Sequence, residues 1–599
     1  MENVPRTEYP RPQFMRKEWI CLNGLWEFEI DAGNSGLERG LLTQRLADEI
    51  LVPFCPESEL SGIGNVDFMN VVWYRRHVFV PAAWGEKNVL LHFQAVDYDT
   101  TVWMDGEEVV RHRGSSTPFF ANLGKCAGRD IEIVVRARDF QQELKPEGKQ
   151  SREYHNHTCH YTRTTGIWQT VWLEPVSDIY MQRPRITPVV ANSCFLVEVP
   201  LSGNHDGLKI KAVLRDCEEI ITVVEVDADL DLSPRLVLNI PKEQIKLWEV
   251  GNSFLYQIDF ELILDGATID CVESYAGLRS IAINGKKITI NGKSVFQRLV
   301  LDQGYYRDGL LTAPTDEALR KDIKLSMLAG FNGARLHQKV FEERFLYHAD
   351  QMGYLVWGEF CDWGCNAGGP EGQNQIPTAT YITQWLEEIE RDYSHPSIIG
   401  WCPLNETWQV MTDRITELDD VTRGMYLATK AMDGTRPVLD ASGYAHRILD
   451  ADVYDSHSYE QDVTKFADLF SVPVEPGKVF ENGVDGKRQS YSYAGQPYFL
   501  SEFGGIWWDE ALANEIAAGT DQSISWGYGE RPRTIEDVYE RFEGMCSILL
   551  ENMGYFGYCY TQLTDVFQEM NGVFDFDRNP KFDLERLSRI QQRKAAIED

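Results

Sequence analysis

A chain of 599 residues is too long for one hydrophobic core, and 43% hydrophobic content with 16 Trp, 26 Tyr and 28 Phe describes several packed domains rather than a disordered polymer. The formal net charge of -34 argues against nucleic acid or an anionic membrane as partner. No run approaches the roughly 18 apolar residues of a membrane span, residues 1–10 lack a signal peptide's apolar centre, and the 12 cysteines are irregularly spaced, so reduced thiols in a cytoplasmic protein are expected.

Three textures follow one another along the chain. Residues 1–180 read as short strands. Positions 25–30 and 100–104 alternate apolar and polar side chains, and the Asp105-Gly106 dipeptide before 107–110 predicts a hairpin. Many short strands with frequent turns predict a β-sandwich. Residues 181–282 form a second strand-rich block, alternating at 208–213 and 254–260, with the length of one immunoglobulin-like sandwich. Asn284-Gly285 and Asn291-Gly292 then mark a hairpin.

From 283 to 599 strands alternate with helices. Apolar runs near 295–301, 333–337, 354–360, 398–406, 436–442, 453–459, 497–502 and 554–561 make eight strands. Thr315 is placed to cap a helix with Asp316 and Glu317 in its first turn, Leu319, Ile323 and Met327 on one face, and Gly330 at its end. Ile382, Trp385, Leu386, Ile389 and Tyr393 share a face of another helix that Pro396 stops. Eight β/α units predict a (β/α)8 TIM barrel, whose active site lies at the C-terminal ends of its strands. Residues 460–496 are expected as a loop over the barrel mouth.

Glu406 then ends the fourth strand and Glu502 the seventh, about opposite one another. A single strand-end glutamate is usually no more than solvated or salt-bridged. Two that converge are the equipment for cleaving a glycosidic bond with retention. One stays ionised and attacks the anomeric carbon; the other donates a proton to the leaving oxygen and later takes one from water. Burial and neighbouring charge must drive their pKa values apart.

The segment Ser394-His-Pro-Ser-Ile-Ile-Gly-Trp-Cys-Pro-Leu-Asn-Glu406 resembles the acid/base signature of glycoside hydrolase family 2, the group of β-galactosidases, β-glucuronidases and β-mannosidases. Leu22-Asn-Gly-Leu-Trp-Glu-Phe28, Val52-Pro-Phe-Cys-Pro56, Trp73-Tyr-Arg-Arg76, Gly166-Ile-Trp168, Asn332-Gly-Ala-Arg335 and Ser501-Glu-Phe-Gly-Gly505 carry the resemblance over nearly the whole chain. It implies an N-terminal jelly roll (1–180), an immunoglobulin-like sandwich (181–282) and a catalytic TIM barrel (283–599). It implies Glu406 as acid/base, Glu502 as nucleophile, Asn405 as partner of the sugar 2-hydroxyl and Arg335 as the cation that keeps Glu502 ionised. No cofactor or metal is required, the partner is an oligosaccharide or other glycoside, and homo-oligomers are common in the family.

Departures from the family pattern bear on the glycone. β-Glucuronidases of the family carry Asn-x-Lys after the last strand to bind the sugar carboxylate. The stretch 568–574 here has no lysine, and Glu569 there would repel a uronate, although Arg163 could substitute. Asp302 and Gln303 stand where many members have a histidine pattern and are candidates for binding hydroxyls. His337 falls one residue early, and the tryptophan usual at the last strand's end is replaced near 560–565. His457 and Tyr459 end strand six, where members place an aromatic hydroxyl near the nucleophile; simple packing is the alternative. Trp507 and Trp508 are either a sugar platform or core. His155, His157 and His160 are open to three readings: a metal cluster, a sugar contact through His160, or a structural turn. Cys361 and Cys365 read as core thiols. The expected activity is a retaining exo-glycosidase with a galactose-like glycone first, a hexuronic acid next and an α-L-arabinoside third. The rival is a non-catalytic carbohydrate-binding protein.

Overall fold

The computed structural model describes residues 4–363, 379–407, 409–484, 486–510 and 525–599. Cys365, one of the two expected core thiols, lies outside them; Cys361 is buried. All eleven described cysteines are free thiols. Among the described residues no helix is long and apolar enough to cross a membrane.

The alternating strands build two sandwiches. In the first, Gly24–Ile30 buries Trp26 and Phe28 and pairs with Val71–Phe79, which pairs antiparallel with Asp130–Arg138. Asp99–Met104 and Glu107–Arg113 form the expected hairpin. Asp105 and Gly106 turn it at φ 51° and 85°, the left-handed pair that a two-residue turn matching the strand twist requires. A six-stranded and a four-stranded sheet enclose this core. The second sandwich packs a three-stranded sheet on a four-stranded one around Phe195, Ile210, Leu236 and Phe260. Phe14, from the start of the chain, inserts into this second core. The chain then turns through Ile281–Asn284, Lys287–Ile290 and Lys293–Ser294 into the barrel. We propose 1–180, 181–282 and 283–599 as the domain limits, with the segregation of three cores as support.

Seven parallel strands of the barrel lie in the order Ile398–Cys402, Leu355–Glu359, Gly333–Leu336, Gln297–Asp302, Tyr555–Thr561, Tyr498–Gly504 and Tyr454–Ser458. The eighth position, expected as a strand at 436–442, is filled by single bridges, Trp401 to Val438, Asn405 to Ser442 and Leu439 to Val453. Pro437 has no N–H to give a continuous ladder there. Pro403 likewise ends the fourth strand at Cys402, so Glu406 lies beyond it rather than in it. The helix Asp316–Leu328 is capped by Thr315, which accepts from the Ala318 N–H. Residues 460–496 are not a plain loop. Asp462 caps a helix at Val463–Phe470, whose Phe466 and Phe470 enter the barrel core, and a small hairpin pairs Gly483 with Arg488.

Candidate active site

Glu502 lies within the strand Tyr498–Gly504, and the parallel neighbour Tyr454–Ser458 sets His457 directly opposite it. Glu406 is carried in from the other side of the mouth. Its N–H bonds the Ser442 carbonyl at 2.9 Å, and its backbone sits at φ +46°, a left-handed conformation that costs a non-glycine residue energy. The result is that one oxygen of Glu406, one of Glu502 and a ring nitrogen of His457 all lie within 4.8 Å of one another. His457 Nδ1 is 2.7 Å from Glu406 Oε1 and 3.5 Å from Glu502 Oε2, and Nε2 is 2.9 Å from the Ser442 hydroxyl.

Around Glu502 the charges are arranged to keep it ionised. Arg335, fully buried, donates from Nη1 to Glu502 Oε1 at 2.9 Å, from Nη2 to Asn405 Oδ1 at 2.5 Å, and from Nε to Glu359. The Tyr459 hydroxyl donates to Glu502 Oε2 at 2.5 Å, and its ring stacks on Tyr528 at 3.4 Å. Burial by itself would push the Glu502 carboxyl up. The positive charges of His457 and Arg335 overcome it and bring the group down to about 2. Burial would lower the His457 imidazole, but the charge of Glu502 and the bond to Glu406 raise it. His337 is held well below the usual imidazole range by burial first and the nearby Lys149 charge second, so it is neutral, its Nδ1 2.9 Å from Glu359 Oε1.

Of the residues singled out in the sequence, the structure gathers Glu406, Glu502, Asn405, Arg335, His337, His457 and Tyr459 into one cluster. His160 stands beside it, its ring 5.6 Å from that of Trp363, whose Nε1 donates to the Asn405 carbonyl at 3.0 Å. Others go elsewhere. Strand alternation turns Asp302 to the helix layer, where it accepts from the Gly304 N–H at 2.9 Å; burial and the charge of Asp322 push it up to about 7. Trp508 is buried in the barrel core, the second of the two readings for it, and Trp507 lies under Arg531 at 4.4 Å. Arg163 spends its guanidinium on the carbonyls of Ser151, Glu153 and Val66 and on the Phe68 ring, which removes it as a uronate partner.

Gln303 donates to Tyr161 at 3.0 Å and to Gln562 at 2.5 Å. Glu569 is buried and engaged by Tyr161 and, at 3.0 Å, Asn571. His157 and His160 stack ring on ring, centroids 5.0 Å apart, instead of converging nitrogens on a metal. Glu406, His457 and Glu502 are the described donors that gather closely enough to hold a cation, but the bond from His457 to Glu406 accounts for their approach. Glu359, Trp363, Tyr528 and Lys149 were missed. Glu359 had a signal, since it too is a strand-end carboxylate; the others come from loops with no local motif.

Residues 281–504 match the family model described as "Glycosyl hydrolases family 2, TIM barrel domain". A β-glucuronidase of Paenibacillus borealis is 23% identical over 95% of this chain and 96% of its own. A β-galactosidase of Thermoanaerobacter pseudethanolicus is 24% identical over 56% of this chain and 44% of its own. The solved β-glucuronidase from Ruminococcus gnavus in complex with an N1-substituted uronic isofagomine superposes with a TM-score of 0.75 at 18% identity, covering 98% of this chain and all (100%) of that one.

Proposed function

The chain belongs to glycoside hydrolase family 2 and is an O-glycosyl hydrolase, and from that premise we propose that it is a retaining exo-β-glycosidase working through Glu502 and Glu406. The observation that carries this reading is the approach of the two carboxylates to within 4.8 Å. An inverting pair needs roughly 6.5–9.5 Å to admit a water, whereas a retaining pair needs about 5–5.5 Å.

In the first step a Glu502 oxygen attacks the anomeric carbon. The bond to the leaving oxygen breaks as Glu406 gives that oxygen its proton. In the second, Glu406 takes a proton from water, the water oxygen bonds the anomeric carbon, and the ester to Glu502 is released. Arg335 and Tyr459 hold Glu502 with its charge and orientation fixed. Asn405, itself oriented by Arg335, is in place for the 2-hydroxyl, whose bond tightens in the transition state.

For the glycone we propose a β-hexuronide ahead of a β-galactoside, which reverses the order read from the sequence. The β-glucuronidase of Paenibacillus borealis matches nearly the whole chain, while the β-galactosidase of Thermoanaerobacter pseudethanolicus matches little more than half. The missing lysine of 568–574 had argued the other way, yet Glu569 is engaged by its own donors rather than left facing a ligand.

Aryl glycosides test the mechanism. Glu502→Ala and Glu406→Ala are each expected to lower kcat by about 10²–10⁴-fold. Azide should restore turnover, giving the α-glycosyl azide from Glu502→Ala and the β-azide from Glu406→Ala. Undiminished hydrolysis by Glu502→Ala would falsify the assignment, and the absence of turnover on any aryl glycoside would favour a non-catalytic carbohydrate binder.

A further inference from the structure

Lys149 is a buried cation that nothing in the proposed mechanism uses. It is 7% exposed. Among the described residues its ammonium has no hydrogen-bond or ion-pair partner; its contact is with the Trp363 ring, 5.3 Å away. The other cations nearby are committed: Arg335 to Glu502, Glu359 and Asn405, Arg152 to Glu147, and Lys339 to the carbonyls of Gly304 and Leu311.

The backbone is built to put Lys149 there. The Glu147 and Gly148 N–H groups bond the Trp363 and Cys361 carbonyls on the loop after a barrel strand, at 2.7 and 3.1 Å, and the Lys149 carbonyl accepts from the Tyr161 N–H at 2.9 Å. Gly148 takes φ +64°, and a Cβ on it would lie 2.2 Å from the Gln338 carbonyl oxygen, so only glycine lets the sandwich segment approach so closely. Trp363, whose ring lies over the Lys149 ammonium, donates to the Asn405 carbonyl at 3.0 Å and stands 5.6 Å from the His160 ring and 6.4 Å from that of His337, which places Lys149 at the barrel mouth; its charge acts on Glu569, Glu502 and Glu406. Burial works to lower its pKa, but Cys159 and those carboxylates raise it, so it is an ammonium at neutral pH. An ammonium that no protein carboxylate neutralises, on a side chain otherwise packed into the mouth, is free to take its counter-charge from a ligand.

We propose that Lys149 receives the carboxylate of a hexuronic acid glycone, doing from the N-terminal sandwich what no residue of 568–574 can do from the barrel. The proposal rests on the hexuronide reading above, and the test separates the two. Wild type, Lys149→Met and Lys149→Arg are assayed on matched pairs: 4-nitrophenyl β-D-glucuronide against the β-D-glucoside, and the β-D-galacturonide against the β-D-galactoside. Within a pair only the carboxylate is exchanged for CH2OH. The ratio of kcat/KM values, uronide over neutral, should fall at least 50-fold in Lys149→Met, mostly through KM, and less in Lys149→Arg. A ratio that stays constant, whether both rates drop or neither does, overturns the assignment while leaving the hexuronide reading standing. Wild type that cleaves neutral glycosides and no uronide overturns both. Because each variant is judged by a ratio, partial loss of folded protein cancels.

Discussion

Three of the hydrogen-bonding partners of Arg335 have different needs: Glu502, as the proposed nucleophile, must be ionised, Glu359 is its buried counter-charge, and Asn405 must be aimed. Removing the guanidinium as Arg335→Met leaves the burial of Glu502 and deletes one of the two leading charges that oppose it. The Glu502 pKa, about 2 with Arg335 present, must then rise. The proposed nucleophile works only when ionised, so the acid limb of the kcat/KM profile should move to higher pH, with a loss at the optimum of about 10²-fold or more. A pH profile of unchanged shape would assign Arg335 to structure alone. That Glu502, Glu406, Asn405 and Arg335 would gather was legible in the sequence because each sits in a motif at or just past a strand end, where the chain direction of a barrel fixes what points inward. Lys149 and Trp363 were not, because loop contacts between separate domains place them and no spacing encodes that. Asp302 misled for the opposite reason: it holds a strand-end position, but alternation turns it outward.

Strands and their connections carry a different electrostatic load. The irregular eighth position of the barrel is tied to its neighbour by His446, whose Nδ1 lies 2.8 Å from Asp440 and whose Nε2 lies 3.1 Å from Asp455. Asp440 also accepts from the Arg447 and Ile448 N–H groups, and Asp455 from the Gly443 N–H, so ion pairs and side-chain caps replace the ladder that Pro437 interrupts. Burial would lower His446, but the charge of Asp440 outweighs it and raises the imidazole to about 10. A folded pKa above the unfolded value of about 6.5 contributes stability fully below that pH and loses it as pH rises toward 10. Thermal unfolding should show the melting temperature falling across this window. His446→Gln should be less stable by about 2–4 kcal/mol at pH 6 and should flatten that part of the curve. A slope identical to wild type would mean that other groups set it. The sequence reading placed a strand here and was right about position, but apolar pattern does not report which N–H groups a proline removes. It erred similarly at 463–470, where Gly, Ser and Pro in the surrounding stretch masked an amphipathic turn capped by Asp462.

At the scale of the whole molecule, the barrel depends on the sandwiches for part of its mouth. Lys149, His160 and Tyr161 all come from the first one, so whatever docks the sandwiches also sets this side of the proposed glycone pocket. Glu343 is central to that docking. It opens the helix Glu343–Met352, where the dipole favours an anion, and its side chain is fully buried. It accepts from Gln94 of the first sandwich at 2.8 Å and from both terminal nitrogens of Arg183, at the head of the second, at 2.8 and 3.0 Å. Burial would raise this carboxyl, yet Arg183 and Arg391 hold it below its ordinary value, so it is charged when folded. The three-way texture of the sequence made separate cores legible, but not this joint, since Gln94, Arg183 and Glu343 are far apart in the chain and ordinary in composition. Replacing one partner of a bidentate, mostly buried pair strands the other, at about 3–5 kcal/mol. Glu343→Gln keeps the shape and the Gln94 contact but leaves Arg183 without its counter-charge; Arg183→Met does the converse. A double-mutant cycle by denaturant unfolding should give a coupling of about 2 kcal/mol or more, because the second substitution removes the charge stranded by the first. Strict additivity, within about 0.5 kcal/mol, would mean that the joint is held by packing instead. In that case the single variants should leave the uronide-to-neutral ratio untouched, whereas a joint held by this ion pair should transmit their loss to Lys149 and raise KM for a uronide before the protein unfolds.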